Sequence, residues 1–268
     1  MTGVPAARQA LGVLQVLADQ PEPVPAAVLI RALGLPRSTT YHLLAELERA
    51  GFVVHLAAER RWGLGVSAFE LGSAYTRQAP LARVAGRVLT RLVDEVRHSA
   101  HLAVLHGREV LYVIEERAPG RPPLVTDVGV RLPAQLTASG RALLARLSAA
   151  QVRALFPDAG AFVDRHGLGP TSLTALRRLL VDVRTRGFAL ESGEVTPGFA
   201  SVAAAVHDHL GQPVAAVAVT YPVDGSSLLG EPPSTDDLAP PVLRSARQLQ
   251  QRIHGREPPP SLSAPPAR

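Results

Sequence analysis

One stretch near the N-terminus places hydrogen-bonding, aromatic and charged side chains on a single face of a predicted helix. Its apolar positions follow an i, i+3, i+4, i+7 spacing and form a narrow stripe of Thr40, Leu43, Leu44 and Leu47. At about 100° per residue, the opposite face carries Ser38, Tyr41, His42, Ala45 and Arg49. A helix that lies in the major groove of DNA presents a face of this kind, with its first turn nearest the base edges. The candidate base and backbone contacts are Arg37, Ser38, Thr39, Tyr41 and His42.

Three further arginines fall where they could reach DNA phosphates. Arg60 and Arg61 lie at the tip of a predicted hairpin, which could act as a wing along the backbone or in the minor groove, and Arg8 begins the first helix. The segment 1–65 nevertheless carries six arginines (8, 31, 37, 49, 60 and 61) against five acids (19, 22, 46, 48 and 59). Because it is almost neutral, we expect affinity to depend on the avidity of a dimer more than on bulk charge.

A second candidate site begins at Thr137, which directly precedes a predicted helix. Its hydroxyl can cap that helix by accepting an N–H from two or three residues further on. The N–H groups of Ala138, Ser139 and Gly140 would then form an anion site suited to a carboxylate. The alternative is a capped structural helix that binds nothing, and the spacing alone does not separate the two.

The sequence gives little support for a catalytic site or a metal site. His98 and His101 lack a third ligand at metal spacing, and His207 and His209 flank Asp208 in a predicted turn. The chain has no cysteine, no Gly-x-Ser-x-Gly elbow, no phosphate-binding loop and no glycine-rich dinucleotide fingerprint. We therefore predict no catalytic residue, no metal and no cofactor.

The elements that must position these residues indicate an α+β fold. Residues 1–65 predict three short helices and a hairpin, the layout of a winged helix-turn-helix, and residues 66–79 predict a connecting helix. Residues 80–255 mix helices with strands at 100–105, 109–116, 124–128, 188–192, 200–207 and 213–221. Residues 256–268 form a Pro-rich tail that we expect to be disordered.

Composition narrows the class of protein. The 268 residues are 46% hydrophobic and 19% charged, enough to bury a sizeable core, and the net charge is +5 with no lysine. No stretch is apolar for long enough to span a membrane, and no secretory leader is recognisable. With no cysteine either, we expect a cytoplasmic protein without a membrane partner.

Three motifs in order resemble the IclR family of bacterial transcription regulators, over nearly the whole chain up to about residue 255. Residues 35–44, LPRSTTYHLL, are similar to the family's Leu-Pro-Lys-Ser-Thr-x-x-Arg-Leu-Leu turn and recognition helix. Residues 137–145, TASGRALLA, resemble Thr-Ala-x-Gly-Lys-Ala-x-Leu-Ala. Residues 194–198, EVTPG, resemble Glu-x-x-Pro-Gly.

The resemblance implies a GAF-like effector-binding domain, with an antiparallel sheet flanked by helices, and homodimers that often pair into tetramers. Carried over by position, the effector-binding residues would be Leu136, Thr137, Ala138, Ser139, Gly140, Glu191, Ser201, Ala218 and Thr220. The chain departs from the commoner pattern in four places, since Gln135, Leu136, Ser201 and Ala218 stand where His, Cys, Cys and Ser are frequent. We therefore expect an effector with a larger apolar body than a two- or three-carbon acid.

Taken together, these features predict a sequence-specific transcription regulator, with repression favoured over activation. Its partners would be a double-stranded DNA operator and a small, carboxylate-bearing effector. Two alternatives stay open: a small-molecule sensor or enzyme whose N-terminal helices only mediate dimerisation, and a nonspecific architectural DNA-binding protein. The second would need more basic charge than residues 1–65 carry.

Overall fold

The computed structural model describes residues 4–78, 80–120, 124, 126–223 and 233–256. The chain divides into two compact units, Met1–Ala79 and Pro80–Arg268. The first unit is helical with a two-stranded hairpin, and the second combines a sheet with helices. The α+β fold class is therefore confirmed. No helix among the described residues is both long and apolar enough to cross a membrane.

The first unit is a winged helix-turn-helix. Its core is a small apolar cluster in which Val13, Leu29 and Leu44 are fully buried and Trp62 closes the hairpin side. Gly34 ends the second helix in the left-handed conformation, at φ 63°, which turns the chain into the third helix. The elements are helices α1 (Pro5–Ala18), α2 (Ala26–Leu33) and α3 (Arg37–Arg49), strands β1 (Val53–Leu56) and β2 (Arg61–Leu64), and helix α4 (Val66–Gln78).

The second unit is built on a six-stranded antiparallel sheet between two layers of helices. The strands are β3 (Ser99–His106), β4 (Glu109–Glu116), β5 (Arg131–Pro133), β6 (Ala189–Ser192), β7 (Phe199–His207) and β8 (Pro213–Pro222), in the order β5-β4-β3-β8-β7-β6. The helices are α5 (Pro80–Val96), α6 (Ala138–Leu144), α7 (Ala149–Leu155), α8 (Leu173–Arg186) and α9 (Thr235–Arg252). Helices α5 and α9 share one apolar cluster with the sheet, and α6, α7 and α8 share another.

Small side chains on the α6 side of the sheet leave space beneath that helix. Ala103, Ala203 and Ala218 are buried in the α6 cluster, and Ala203 and Ala218 pair directly across β7 and β8. Every residue of α6 is buried. The alanines therefore leave an interior space between the sheet and α6, and polar side chains of the same strands, such as Ser201 and Thr220, line it.

One predicted strand is wrong. Residues 124 and 126–128 are described and lie outside any strand, residue 125 is outside the described residues, and the edge strand is β5 instead. Asp127 stops the strand by turning the chain: its carboxylate accepts the N–H of Val128 at 2.7 Å, and its carbonyl accepts the N–H of Val130 at 3.1 Å. Gly129 completes the turn at φ 87°. The predicted disordered tail lies outside the described residues from 257 onward.

Candidate DNA-binding face and effector cavity

Within the first unit, the outer face of α3 is exposed and polar. Thr40 and Leu44 are fully buried, and the Thr40 hydroxyl donates to the Pro36 carbonyl at 3.1 Å, which fixes the start of the helix. Thr39 is half-buried, whereas the residues that face outward are Arg37, Ser38, Tyr41, His42 and Ala45. The apolar stripe thus packs inward and leaves the predicted contact residues accessible on this unit.

Arg37 and Tyr41 form a pair on this face. The guanidinium carbon of Arg37 lies 5.6 Å from the centre of the Tyr41 ring, in cation–π contact, and Tyr41 is 41% exposed. The contact holds the arginine fork over the first turn of α3. Arg49 at the other end of the helix is held instead by Glu46, to which its Nε donates at 3.2 Å.

The hairpin arginines differ in their surroundings. Arg60 is exposed at the tip and adopts a left-handed backbone conformation, with φ 54°. Arg61 is half-buried: its Nη1 donates to the Pro23 carbonyl at 3.1 Å and lies 3.8 Å from a Glu22 carboxylate oxygen. Arg61 therefore braces β2 against the α1–α2 connection, while Arg60 and the exposed Arg8 keep their side chains at the surface.

A cavity in the second unit brings most of the predicted effector residues together. It lies between α6, the middle strands and the turn after β6. Of the nine predicted residues, the cavity is lined by Thr137, Ala138, Ser139, Glu191, Ser201, Ala218 and Thr220. The sequence alone did not indicate the remaining lining residues, which are His101, Tyr112, Leu124, Thr126, Val195, Thr196 and Phe199.

Leu136 and Gly140 do not line this cavity. Leu136 is fully buried in the core and packs under Gly169, where its methyl carbon would lie 2.6 Å from an added Cβ. Leu136 therefore gives no reason to expect an effector with a larger apolar body. The N–H of Gly140 is not free for an anion, because it donates to the Thr137 hydroxyl at 2.9 Å.

Gly140 instead allows a close backbone approach. A Cβ at this position would lie 2.2 Å from the carbonyl oxygen of Ala134, so Gly140→Ala forces the backbone apart. We expect it to destabilise the second unit by about 3 kcal/mol and to weaken binding in the cavity, as measured by thermal melting and calorimetry. The control is Gly86→Ala in α5, where nothing lies within 4 Å of an added Cβ; it should be neutral or stabilising. Equal melting temperatures for the two variants would contradict this assignment.

Burial holds the cavity's imidazole and phenol in their neutral forms. Loss of solvation lowers the pKa of His101 to about 3 and raises the pKa of Tyr112 well above its ordinary value. Thr126 Oγ1 lies 3.3 Å from Nε2 of His101, and the Tyr112 ring packs edge-on to the imidazole at 5.7 Å. The only sequence feature that points to His101 is its spacing of three residues from His98, which by itself is a weak signal for a metal site. Among the described residues, no group of three potential metal ligands forms.

Glu191 is the carboxyl group of the cavity. It is 5% exposed, and burial raises its pKa to about 7, with repulsion from Glu194 adding to the rise. The Val195 N–H, which donates to Glu191 Oε1 at 3.1 Å, partly offsets the shift, as do the Ser201 hydroxyl and Arg141. Glu191 is therefore partly protonated at neutral pH.

A buried arginine joins the segments that surround the cavity. Arg141, on α6, is 3% exposed and donates through three different nitrogens to three segments. Its Nε donates to the Gln135 carbonyl at 2.9 Å, its Nη1 to the Leu190 carbonyl at 2.7 Å, and its Nη2 to the Glu194 carboxylate at 2.8 Å. The planar guanidinium, with its five N–H donors in a fixed fork, is well suited to bind these three acceptors at once.

Comparison with known proteins agrees with both units. The model of the IclR helix-turn-helix domain matches residues 6–57, and the model of the bacterial transcriptional regulator IclR C-terminal domain matches residues 73–251. The chain belongs to the IclR family. The glycerol operon regulatory protein of Streptomyces coelicolor is 32% identical over 248 residues, covering 91% of this chain and 93% of the relative. The transcriptional repressor IclR of Escherichia coli is 27% identical over 215 residues, covering 80% and 78%.

Solved structures of transcription regulators share the fold. A regulator from a Silicibacter species superposes with a TM-score of 0.83 at 24% identity, covering 95% of this chain and 98% of that one. A regulator from a Rhodococcus species gives 0.74 at 26% identity, covering 94% and 98%. This IclR-family chain is a DNA-binding transcription regulator with an effector-binding domain, and it is not an enzyme. The enzyme alternative is thereby removed.

The family motifs have a structural meaning in this IclR-family protein. In the segment TASGRALLA, Thr137 caps α6 and Gly140 allows the Ala134 backbone to approach closely. Arg141 donates hydrogen bonds to the segments around the cavity. In the segment EVTPG, the Glu194 carboxylate accepts a hydrogen bond from Arg141, and the Val195 N–H donates one to Glu191. The two motifs are 53 residues apart at the Arg141–Glu194 contact, yet they form one hydrogen-bonded frame.

Proposed function

We propose that this protein is an operator-binding repressor whose affinity for DNA is changed by a small, carboxylate-bearing effector held in the cavity of the second unit. The observation that carries the proposal is the combination of an exposed polar α3 face with an interior cavity lined by seven of the predicted effector residues. We place its action in the cytoplasm, where operator DNA is accessible.

The DNA half of the proposal assigns α3 to the major groove. Arg37, Ser38, Thr39, Tyr41 and His42 would face base edges and nearby phosphates, because they occupy the first turns of the recognition helix. Arg8, Arg60 and Arg61 would contact the backbone, Arg61 after giving up part of its contact with Pro23.

The near-neutral charge of residues 1–65 favours a homodimer on DNA. Two recognition helices that engage successive major grooves of a near-palindromic site gain affinity by avidity, which compensates for the weak bulk attraction. Such dimers could pair into tetramers. We further propose that residues 66–79, which include α4, carry the state of the effector-binding domain (80–255) to the DNA-binding domain (1–65).

The effector half rests on the chemistry of the cavity lining. Hydroxyl groups and the neutral imidazole of His101 can orient a polar end, while Leu124, Val195 and Phe199 can cover an apolar body. This apolar group replaces Leu136 as the reason to expect an effector larger than a two- or three-carbon acid. The Streptomyces relative is named for a glycerol operon, so control of an operon for the use of a small organic compound is a fitting role.

The test measures the coupling between the two sites. Titrating effector candidates into the protein with and without its upstream DNA should give affinities that differ by about five- to 150-fold, because binding coupling is reciprocal. The specific DNA should be preferred over random sequence, and affinity should fall steeply as salt rises. Equal affinity for random DNA would favour an architectural protein, and an absence of DNA binding would favour a sensor that dimerises through its N-terminal helices.

A further inference from the structure

Glu191 places a carboxyl group inside the cavity that we assign to a carboxylate. Among the described lining residues Glu191 is the one acidic side chain, and no arginine lines the cavity. The chain contains no lysine at all. An ionised Glu191 would therefore face an ionised ligand with no lining cation between them. In a site of low dielectric constant, two such charges repel strongly.

The groups that face Glu191 from the neighbouring elements do not cancel this repulsion. The Arg141 guanidinium from α6 is committed to the Glu194 carboxylate at 2.8 Å, and Glu194 itself repels Glu191. His101 from β3 and Tyr112 from β4 are neutral at physiological pH. Ser201 from β7 supplies only a hydroxyl, which also lies 2.9 Å from the Thr220 hydroxyl.

A proton on Glu191 would remove this repulsion between the two carboxylates. We propose that the cavity binds a carboxylate together with one proton, which Glu191 holds, so that effector affinity falls as the pH rises. A protonated Glu191 can donate a hydrogen bond to the ligand through one oxygen while Oε1 still accepts the Val195 N–H. The Ser139 hydroxyl, which is buried in the cavity lining, offers a second donor. The inference rests on the proposed effector site and specifies its chemistry.

The proton is available near neutral pH at small cost. Burial raises the pKa of Glu191 to about 7, so the empty site can take up this proton near neutral pH. His101 does not titrate in the same window, because burial lowers its pKa to about 3. A pH dependence between about 6 and 8 therefore reports on Glu191 among the described lining groups.

The experiment is isothermal titration calorimetry of the full chain with benzoate and pyruvate, and with glycerol as a neutral probe. For a carboxylate, we expect affinity about tenfold weaker at pH 8 than at pH 6, with close to one proton taken up per site at pH 8. Proton uptake is obtained by repeating each titration in two buffers that differ in ionisation enthalpy. E191Q, which mimics the protonated side chain, should bind the same carboxylate with little pH dependence and no proton uptake.

Two comparisons keep the variant interpretable. Because folding raises the pKa of Glu191, the free energy of unfolding falls as the pH rises from about 4.5 to about 7. At pH 8 the wild type therefore carries the full cost of an ionised Glu191 in the folded state. E191Q should therefore melt at or above the wild-type temperature at pH 8, which shows that it is folded. E109Q, at an exposed site on β4, should retain the full pH dependence of the wild type.

The possible outcomes distinguish the proton-linked site from the alternatives. Carboxylate binding without proton uptake, or with the same pH dependence in E191Q, overturns the proton-linked site and leaves the regulator intact. Binding of glycerol but of neither carboxylate overturns it as well, because the cavity would then bind a neutral polyol without a proton. If none of the probes binds at any pH, the proton-linked site is overturned. If, in addition, the chain does not prefer its own upstream DNA, the proposed function fails too.

Discussion

Tyr41→Ala should weaken binding to the specific operator by about ten- to a hundredfold, with little change in fold stability. The ring occupies the exposed face of α3, so its removal leaves the buried stripe of Thr40 and Leu44 intact. The same substitution releases Arg37, whose guanidinium carbon lies 5.6 Å from the ring centre. Arg37→Ala should have an effect of similar size, because a bidentate base contact contributes about 1–3 kcal/mol.

The pair should also be non-additive. Because the Tyr41 ring orients the Arg37 fork, the double variant should lose less affinity than the two single losses combined. Fluorescence anisotropy with labelled operator, together with circular dichroism melting, measures both quantities. Arg49→Ala on the same helix is the matched control; its side chain is already held by Glu46, so we expect less than a twofold change. Wild-type operator affinity in Tyr41→Ala would contradict the proposal that α3 forms the DNA interface.

Arg141→Ala should destabilise the effector-binding unit by about 3–5 kcal/mol and abolish binding in the cavity. The substitution removes three hydrogen bonds from a side chain that is 4% exposed, and it leaves the Glu194 carboxylate, 14% exposed, without its cation. The Gln135 and Leu190 carbonyls also lose their donors. The segments before α6, in β6 and after β6 would then no longer be held together. Urea unfolding followed by circular dichroism gives the change in the free energy of unfolding.

Two further variants test this assignment. Arg131→Ala removes an arginine whose Nη1 lies 3.9 Å from the Glu109 carboxylate at the exposed edge strand β5, and it should cost less than about 1 kcal/mol. Arg141→Lys keeps the charge but loses the planar fork, so it should fall between wild type and Arg141→Ala. If Arg141→Ala costs no more than Arg131→Ala, Arg141 does not frame the cavity.

Local patterns correctly predicted which residues of α3 are buried and which are exposed. The i, i+3, i+4, i+7 stripe depends only on the repeat of one helix, so Thr40 and Leu44 could be placed inside and Tyr41 outside from the sequence. The Thr137 cap was predictable for the same reason, because its partner is the N–H of Gly140, three residues away. By contrast, the strand predicted at 124–128 failed because Asp127 and Gly129 make a turn that apolar content does not reveal.

Local patterns could not predict which residues meet in the cavity lining. His101 lies beside Ala218 in the β3–β8 pairing, and Ser201 lies beside Thr220 in the β7–β8 pairing. The alternation of each strand shows which residues share a face, but not which strands become neighbours. Tyr112, on β4, reaches the same cavity only because β4 pairs with β3.

The amino-acid sequence by itself determined the two-part organisation, the exposed face of α3, the α6 cap and the family motifs, because each depends on contacts within a few residues or on motif order. The tertiary structure alone decided that Arg61 binds the Pro23 carbonyl, that Leu136 packs at Gly169 and does not line the cavity, and that Arg141 reaches Glu194. It also decided that the Glu191 carboxyl is buried there. These contacts join residues that are distant in the chain, and burial, which raises the pKa of Glu191, exists only once the sheet and α6 have packed together.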